Sequence, residues 1–352
     1  MSREKRKAEH ILLGSVLPPG PLASGFDDVS LMHDCMPDLG LKDVSIATAV
    51  AGLKLMNPLI INAITGGSYL STDLNRQIAG LAAASGCAMA VGSQYGAVRR
   101  DQNIESFKVV RKFNPRGIVF ANMSAKSAPE EMRRAVEMLE ADALQIHLNV
   151  AQEIVMPEGD RDFSGYLKNI EAVCQNSSVP VIVKETGCGI CAKRMAQLID
   201  VGVKVIDIGG AGGTNFLAIE AARRSDRVFD EILGWGIPTV ITILETRLLK
   251  EGASEVIASG GIASGLDMAK ALALGASAVG MAGCILRKIL EQGFGAALEE
   301  IKSELELLRN IMLLTGASRV SELKKVPLLF KGETYQQLAC RGHDLRTLAQ
   351  RR

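Results

Sequence analysis

A short apolar run followed by an amphipathic stretch recurs eight times along this chain, and this repeat limits the fold more than any other feature. The apolar runs are continuous rather than alternating, as strands buried on both faces of a parallel sheet are. They lie at Leu59–Ala63, Cys87–Val91, Ile118–Ala121, Ala143–Leu148, Val181–Val183, Val203–Ile208, Val256–Ser259 and Ala278–Met281. Eight strand–helix units predict an α/β fold of the (β/α)8 type, a TIM barrel.

The stretches between these runs carry helix signals. Pro129–Leu139 has proline and two glutamates in its first turn, as a helix start should, and Lys193–Val201 and Gly265–Leu274 have helical apolar spacing. A ninth apolar stretch, Thr239–Ile243, continues without a turn and follows a proline suited to the first helical position. We therefore predict a helix over Pro238–Lys250, which leaves eight strands.

The length of the chain fits a single domain. A barrel of this type needs about 250 residues, and the chain has 352, of which 47% are hydrophobic. We predict a barrel over residues 56–320, an N-terminal extension over 1–55 that caps one end of it, and a C-terminal segment over 321–352. Gly295–Leu314 is predicted as the last barrel helix, and residues 343–352 as a frayed basic tail.

Charge and cysteine usage exclude several classes of protein. The formal net charge is +1, which gives no reason to expect nucleic acid as a partner. There is no apolar run of membrane-spanning length and no secretory signal, so we predict a cytoplasmic protein without membrane contact. The seven cysteines are odd in number and predict reduced thiols. Cys188 and Cys191 form a C-x-x-C without a second pair for zinc, which favours incidental thiols over a redox pair.

Polar or glycine-rich residues follow every predicted strand, and in a barrel these strand ends form the active site. They are Asn62–Gly67, Gly92–Tyr95, Asn122 with Ser124, His147–Glu153, Lys184–Gly187, Asp207–Asn215, Ser259–Gly261 and Met281–Gly283. Gly260-Gly261 and Ala282-Gly283 let backbone N–H groups approach a phosphate closely, although tight turns alone would also explain them.

Individual side chains at these ends suggest specific chemistry. Lys184 can stabilise a developing anion such as a reduced flavin, or form a structural salt bridge. His147 and Asn149 share a strand face, and Gln152 can hydrogen-bond a substrate or position a proton donor. Glu153 suits a hard cation such as Mg2+, or simply the N-terminus of a helix. The basic cluster at 3–7 is either a solvated arm or a clamp on an anionic substrate.

These residues together resemble the type 2, flavin-dependent isopentenyl-diphosphate isomerases over nearly the whole chain. The most specific segment is Leu144–Asp160, which contains H-L-N-x-x-Q-E. The other motifs are R-K-x-E-H at Arg6–His10, N-A-I-T-G-G at Asn62–Gly67, V-G-S-Q at Val91–Gln94, F-A-N at Phe120–Asn122, V-K-E at Val183–Glu185, D-I-G-G-x-G-G-T-N-F at Asp207–Phe216, A-S-G-G at Ala258–Gly261 and G-M-A-G at Gly280–Gly283.

The resemblance implies interconversion of isopentenyl and dimethylallyl diphosphate with reduced FMN, Mg2+, and NADPH as reductant for the flavin, in a homo-oligomer (tetramer or octamer). It implies catalytic roles for His147, Gln152 and Glu153, with Glu153 binding the metal. Implied FMN contacts are Ala63, Ile64, Thr65, Ser93, Asn122, Lys184, Thr214, Gly260, Gly261, Ala282 and Gly283. Implied substrate contacts are Arg6, Lys7, His10, Ser93, Gln94, Asn149 and Gln152.

The alternative is an FMN-dependent 2-hydroxy-acid oxidoreductase on the same barrel. Such enzymes typically use a histidine–arginine pair late in the chain. The only histidine after His147 is His343, in the predicted tail, so the sequence favours the isomerase.

Overall fold

Eight parallel strands close into a barrel in the computed structural model, which describes residues 3–20, 22–64, 66–249, 252 and 254–351, the side chains of 3–8 and 69 excepted. The barrel runs in chain order from β4 to β11, and β11 pairs with β4. The predicted (β/α)8 barrel is confirmed, because each apolar run supplies one barrel strand. The strands are β1 (Val29–Leu31), β2 (Thr48–Val50), β3 (Leu53–Leu55), β4 (Leu59–Ile61), β5 (Ala88–Ala90), β6 (Val119–Ser124), β7 (Ala143–Leu148), β8 (Val181–Glu185), β9 (Val205–Asp207), β10 (Glu255–Ser259), β11 (Ala278–Met281) and β12 (Leu328–Phe330).

Helices surround the barrel and connect its strands. The helix predicted after Pro238 is confirmed as α10, and the last barrel helix begins earlier than predicted, at Gly283, with a kink at Gly293 (φ 82°). The helices are α1 (Arg3–Val16), α2 (Tyr69–Ser85), α3 (Tyr95–Arg100), α4 (Glu105–Phe113), α5 (Pro129–Leu139), α6 (Val150–Val155), α7 (Tyr166–Asn176), α8 (Ala192–Asp200), α9 (Phe216–Ala222), α10 (Thr239–Glu245), α11 (Gly265–Leu274), α12 (Gly283–Leu314), α13 (Val320–Leu323), α14 (Gly332–Cys340) and α15 (Leu345–Ala349).

The barrel interior changes from apolar to polar along its axis. Alternate residues of a strand point to the same side, so Ile60 and Asn62, or Ile182 and Lys184, lie one above the other. The lower layer is a packed apolar cluster that includes Phe120 and Ile257. The next layer, toward the C-terminal ends of the strands, contains Asn62, Asn122, Gln145, Lys184, Asp207 and Ser259, all of them buried.

The N-terminal extension reaches both ends of the barrel rather than one. The hairpin β2–β3 places Val50 and Leu55 in the apolar layer and so closes the bottom. Helix α1 instead packs on α2, α9 and α12. The segment after it lines, through Leu17 and Pro18, the cavity at the C-terminal ends of the barrel strands, which we call the mouth. The N-terminal extension therefore closes the bottom of the barrel with the β2–β3 hairpin and places α1 beside the mouth at the other end.

The C-terminal segment is packed, so the predicted frayed tail is wrong. Strand β12 pairs antiparallel with β1, which joins the two ends of the chain. Leu348 of α15 is 1% exposed, and Arg351 Nη1 donates to the carbonyl of Ala273 at 2.7 Å. Apolar burial and this hydrogen bond hold the last turn in place. The basic composition of the segment gave no sign of either.

Throughout the described chain, every helix is either too short or too polar to cross a bilayer.

Candidate functional site

A hydrogen-bonded network of polar side chains crosses the upper layer of the barrel. Gln145 Nε2 donates to Asn62 Oδ1 at 3.1 Å, and Asn62 Nδ2 donates to Asp207 Oδ2 at 2.7 Å. Ser259 Oγ donates to the other oxygen of Asp207. A Cβ on Gly280 would lie 2.7 Å from Asn62 Nδ2, so the network needs glycine there. Satisfied buried polar groups of this kind fix the geometry of the strand ends.

Lys184 projects from this layer into the mouth. Its side chain is 7% exposed, and its Nζ donates to the backbone carbonyl of Glu185 at 2.6 Å. Lys184 takes part in none of the ion pairs formed among the described side chains, so the structure favours the predicted charge at the mouth over the structural salt bridge. A buried cation here favours a ligand that carries or develops negative charge.

Glycines bring three loops at the mouth closer together than side chains would allow. A Cβ on Gly213 would lie 2.6 Å from the backbone nitrogen of Gly261, and one on Gly260 would lie 1.9 Å from the carbonyl oxygen of Gly210. Gly283 approaches Thr214 in the same way, with 2.4 Å to its Oγ1. We call residues 210–214, 260–261 and 282–283 the glycine cradle. It surrounds the N-terminus of α12, where backbone N–H groups and the helix dipole attract phosphate.

The mouth fits a flavin mononucleotide by the chemistry of its lining. The glycine cradle with the α12 N-terminus suits the phosphate, and Lys184 beside Ala63 and Ile64 suits the ring. Gln145 Oε1 is also buried and finds no partner among the described residues. The predicted FMN contacts that line this cavity are Ala63, Ile64, Lys184, Thr214, Gly260, Gly261, Ala282 and Gly283.

The remaining predicted FMN contacts lie elsewhere. Asn122 is 4% exposed at the end of β6, where its Oδ1 is 2.7 Å from His147 Nδ1. Ser93 follows β5 and is partly buried. Neither lines the cavity, and Thr65 lies outside the described residues.

The end of β7 brings the predicted metal ligand beside polar partners. Glu153 Oε1 accepts from Asn149 Nδ2 at 2.9 Å, and Oε2 accepts from the backbone N–H of Asp160 at 2.8 Å. No group of three metal-ligating side chains exists within the part of the chain that is described. A single carboxylate fits Mg2+ that takes its other ligands from a diphosphate and water, which is how this cation commonly binds.

Glu220 contacts two predicted site residues, and the sequence did not single it out. Its side chain is fully buried, and its Oε1 accepts from Gln152 Nε2 at 2.8 Å. The same oxygen lies 2.8 Å from His10 Nε2. Burial acts to raise the pKa of Glu220, but His10, Gln152 and Arg223 outweigh it and hold that pKa below its ordinary value. The carboxylate thus connects two predicted site residues from distant parts of the chain.

Gln94, Arg6 and Lys7, three predicted substrate contacts, do not line the mouth cavity with described side chains. Gln94 is fully buried, with Nε2 donating to the Ala135 carbonyl and Oε1 accepting from the Asn122 N–H, so it supports β6 and does not line the mouth cavity. Both ends of its amide are engaged within the protein, and its role as a substrate contact stays a prediction. Arg6 and Lys7 lie on α1, and their side chains lie outside the description.

Glu185 is a buried carboxylate between the mouth and an outer apolar cavity that Cys188 and Cys191 also line. Its Oε2 accepts from the backbone N–H groups of Cys188 and Gly189. Burial raises the pKa of Glu185 to about 7, against the lowering effect of those hydrogen bonds. Burial also raises the pKa of the Cys188 thiol to about 12, which disfavours a reactive thiolate and agrees with the incidental reading of the C-x-x-C.

We expect Glu185→Gln to flatten the pH dependence of stability. The folded-state pKa lies above the ordinary 4.5, so the folded protein binds more protons than the unfolded chain between these values. The free energy of unfolding therefore falls as pH rises toward 7, by up to about 1.4 kcal/mol per pH unit. Urea unfolding of both proteins from about pH 5 to 8 measures the slope. The exposed Glu231→Gln is the matched control, and an unchanged slope in Glu185→Gln would contradict the expectation.

Comparison with known proteins places this geometry in a family. The model of the FMN-dependent dehydrogenase family matches residues 93–328. An isopentenyl-diphosphate delta-isomerase of Geobacillus sp. is 47% identical over 98% of both chains. Those of Symbiobacterium thermophilum and Listeria monocytogenes are 43% and 42% identical, each over 99% of this chain and 98% of the relative.

Solved structures of mandelate oxidase share the fold. One variant superposes with a TM-score of 0.66 at 18% identity, covering 94% of this chain and 99% of its own. The complex with benzoyl-formic acid gives 0.63 at 17% identity, over 92% and 90% of the two chains. At this identity the likeness concerns the barrel alone, so it does not favour the oxidoreductase alternative.

Proposed function

The chain belongs to the isopentenyl-diphosphate delta-isomerase family on an FMN-dependent dehydrogenase barrel, and from this premise we propose that it interconverts isopentenyl and dimethylallyl diphosphate. The observation that carries the proposal lies at the C-terminal end of the barrel: the glycine cradle and Lys184 line the mouth cavity, and the segment His147–Glu153 begins at the end of the neighbouring strand β7. The first two suit FMN, and the third offers amide, imidazole and carboxylate groups to a diphosphate substrate.

The reaction moves a double bond without net redox change, since one carbon gains a proton and another loses one. Reduced FMN, when bound, would supply an electron-rich ring and a nitrogen able to exchange a proton. The protein has to bind, orient and exclude water. Lys184 would supply positive charge to the ring, and Gln152, whose amide donates to Glu220, would orient the reacting end of the substrate.

Other side chains would bind the diphosphate end of the substrate. Glu153 would hold Mg2+, and Asn149, whose amide is bonded to Glu153, would sit beside that metal. His147 is oriented by its contact with Asn122 and can donate to phosphate oxygens when protonated. Arg6, Lys7 and His10 on α1 would complete the anion site, with His10 held beside Glu220.

Further parts of the proposal rest on the family resemblance. NADPH would reduce the flavin before turnover and would not be consumed in each cycle. A tetramer or octamer and a cytoplasmic location belong to the same proposal, and the odd number of cysteines is compatible with a reducing compartment.

The proposal is tested by following conversion of isopentenyl to dimethylallyl diphosphate by NMR with FMN, NADPH and Mg2+, and with each left out in turn. We expect conversion only with reduced flavin and Mg2+, and dithionite should replace NADPH. Glu153→Gln should raise the Mg2+ concentration for half-maximal rate about tenfold or more. Oxidation of a 2-hydroxy acid without isomerisation would overturn the proposal.

A further inference from the structure

Arg223 lies just beyond the end of α9 and is buried among carboxylates from three separate segments. Its side chain is 4% exposed. Nε donates to Glu9 Oε2 of α1 at 3.1 Å, and Nη2 donates to Glu158 Oε1, which follows α6, at 2.9 Å. Nη1 donates to Oε2 of Glu220 on α9. No sequence motif pointed to Arg223, and it does not line the mouth cavity.

The guanidinium, together with His10 and Gln152, favours the ionised form of Glu220. A buried carboxylate without a partner carries a large desolvation penalty, and arginine is the cation that stays charged on burial. Burial acts to lower the pKa of Arg223, but its contacts with Glu158 and Glu220 outweigh this and raise that pKa above its ordinary value. The charge on Glu220 is therefore supported by buried protein partners, of which Arg223 is the only permanent cation in contact with it among the described side chains.

Glu220 links Arg223 to Gln152 and His10, because its two carboxylate oxygens contact different partners. Oε2 accepts from Arg223, while Oε1 accepts from Gln152 and lies beside His10 Nε2. The carboxylate cannot turn without losing bonds on both sides. Arg223 thus reaches α1 twice, directly through Glu9 and indirectly through Glu220 and His10.

We propose that Arg223 is a positioning residue that couples the seating of helix α1 to the orientation of Gln152. The inference rests on the proposed function, in which α1 and Gln152 both contact the substrate. When α1 is seated, Glu9 and His10 hold Arg223 and Glu220 in place, and Glu220 then fixes the amide of Gln152. When α1 is displaced, Gln152 loses that support.

Arg223→Lys tests the coupling, because lysine keeps the charge but cannot bond three carboxylates at once. We expect kcat to fall about 10- to 100-fold, the size of effect that a small misplacement of a reacting group produces. KM for isopentenyl diphosphate should rise in the same variant. Arg223→Leu should be worse, and Arg227→Lys, whose side chain is 91% exposed, is the matched control with both constants unchanged.

Glu9→Gln separates the two arms of the coupling. It weakens only the α1 arm at a partly exposed pair, so KM should rise roughly two- to fivefold, and kcat should fall less than in Arg223→Lys. Hydrogen exchange of the α1 amides should be faster in Arg223→Lys than in the wild type, with or without substrate.

The outcomes distinguish this inference from the proposed function. Wild-type protein that fails to isomerise isopentenyl diphosphate overturns both. An active wild type with Arg223→Lys that is less stable but unchanged in kcat, KM and α1 exchange overturns the inference alone, because a purely structural clamp predicts that pattern.

Discussion

Replacing Gly213 with alanine is expected to weaken FMN binding by about 5-fold to about 100-fold while the barrel still folds. The added Cβ would lie 2.6 Å from the backbone nitrogen of Gly261 and 3.2 Å from Cα of Gly260. These are backbone atoms, so the two loops must separate and the cradle opens. Overpacking of this kind costs about 1–3 kcal/mol, and each 1.4 kcal/mol is a tenfold change in affinity. Flavin fluorescence titration measures the dissociation constant.

The matched control is Gly295→Ala, within the same long helix that begins at the cradle. No atom lies within 4 Å of a Cβ at Gly295, and alanine favours helix over glycine by up to about 1 kcal/mol. FMN affinity should be unchanged there and thermal stability equal or slightly higher. Equal FMN affinity in Gly213→Ala and wild type would show that the cradle does not hold the phosphate.

The barrel was predictable because its signal is local and repeated. Each buried strand carries its own apolar run, as Val181–Val183 does, and each stands beside a helix with its own start. The C-terminal tail was not predictable in this way. Leu348 and Arg351 are held by α11 and β12 far along the chain, and a basic composition gives no sign of such a partner.

The site residues also differ in whether a local sequence signal marks them. Lys184 is near the end of β8, the cradle glycines follow barrel strands and Glu153 is on the short helix after β7, so strand ends alone predicted where they lie. Glu220 sits inside α9, five residues beyond Asn215, where the glycine-rich segment after β9 ends, and a glutamate there resembles any helical surface residue. Only the fold brings it against His10 and Gln152. Gln94 shows that a position after a strand does not fix the direction of the side chain, because its Oε1 accepts from the backbone N–H of Asn122 on β6.

Lys184→Met is expected to lower the rate of isomerisation about 10²- to 10³-fold, the loss that follows removal of one preorganised group at a developing charge. Lys184 is buried at the mouth, beside the residues that suit the flavin ring. In such a low-dielectric position its charge stabilises an anionic reduced ring more than a neutral oxidised one. The reduction potential of bound FMN should therefore become more negative, measured by spectroelectrochemistry alongside the rate.

Lys270→Met is the control that separates this effect from the loss of any buried lysine. Lys270 is 8% exposed on α11, and its Nζ donates to the carbonyl of Phe26 at 2.9 Å. Its removal leaves that carbonyl without this donor, so the free energy of unfolding should fall by about 1–3 kcal/mol. The potential and the rate should not move, because Lys270 is not part of the mouth. If both variants shift the flavin potential equally, the charge of Lys184 is not specific to the flavin, and its role in catalysis must be sought in binding alone.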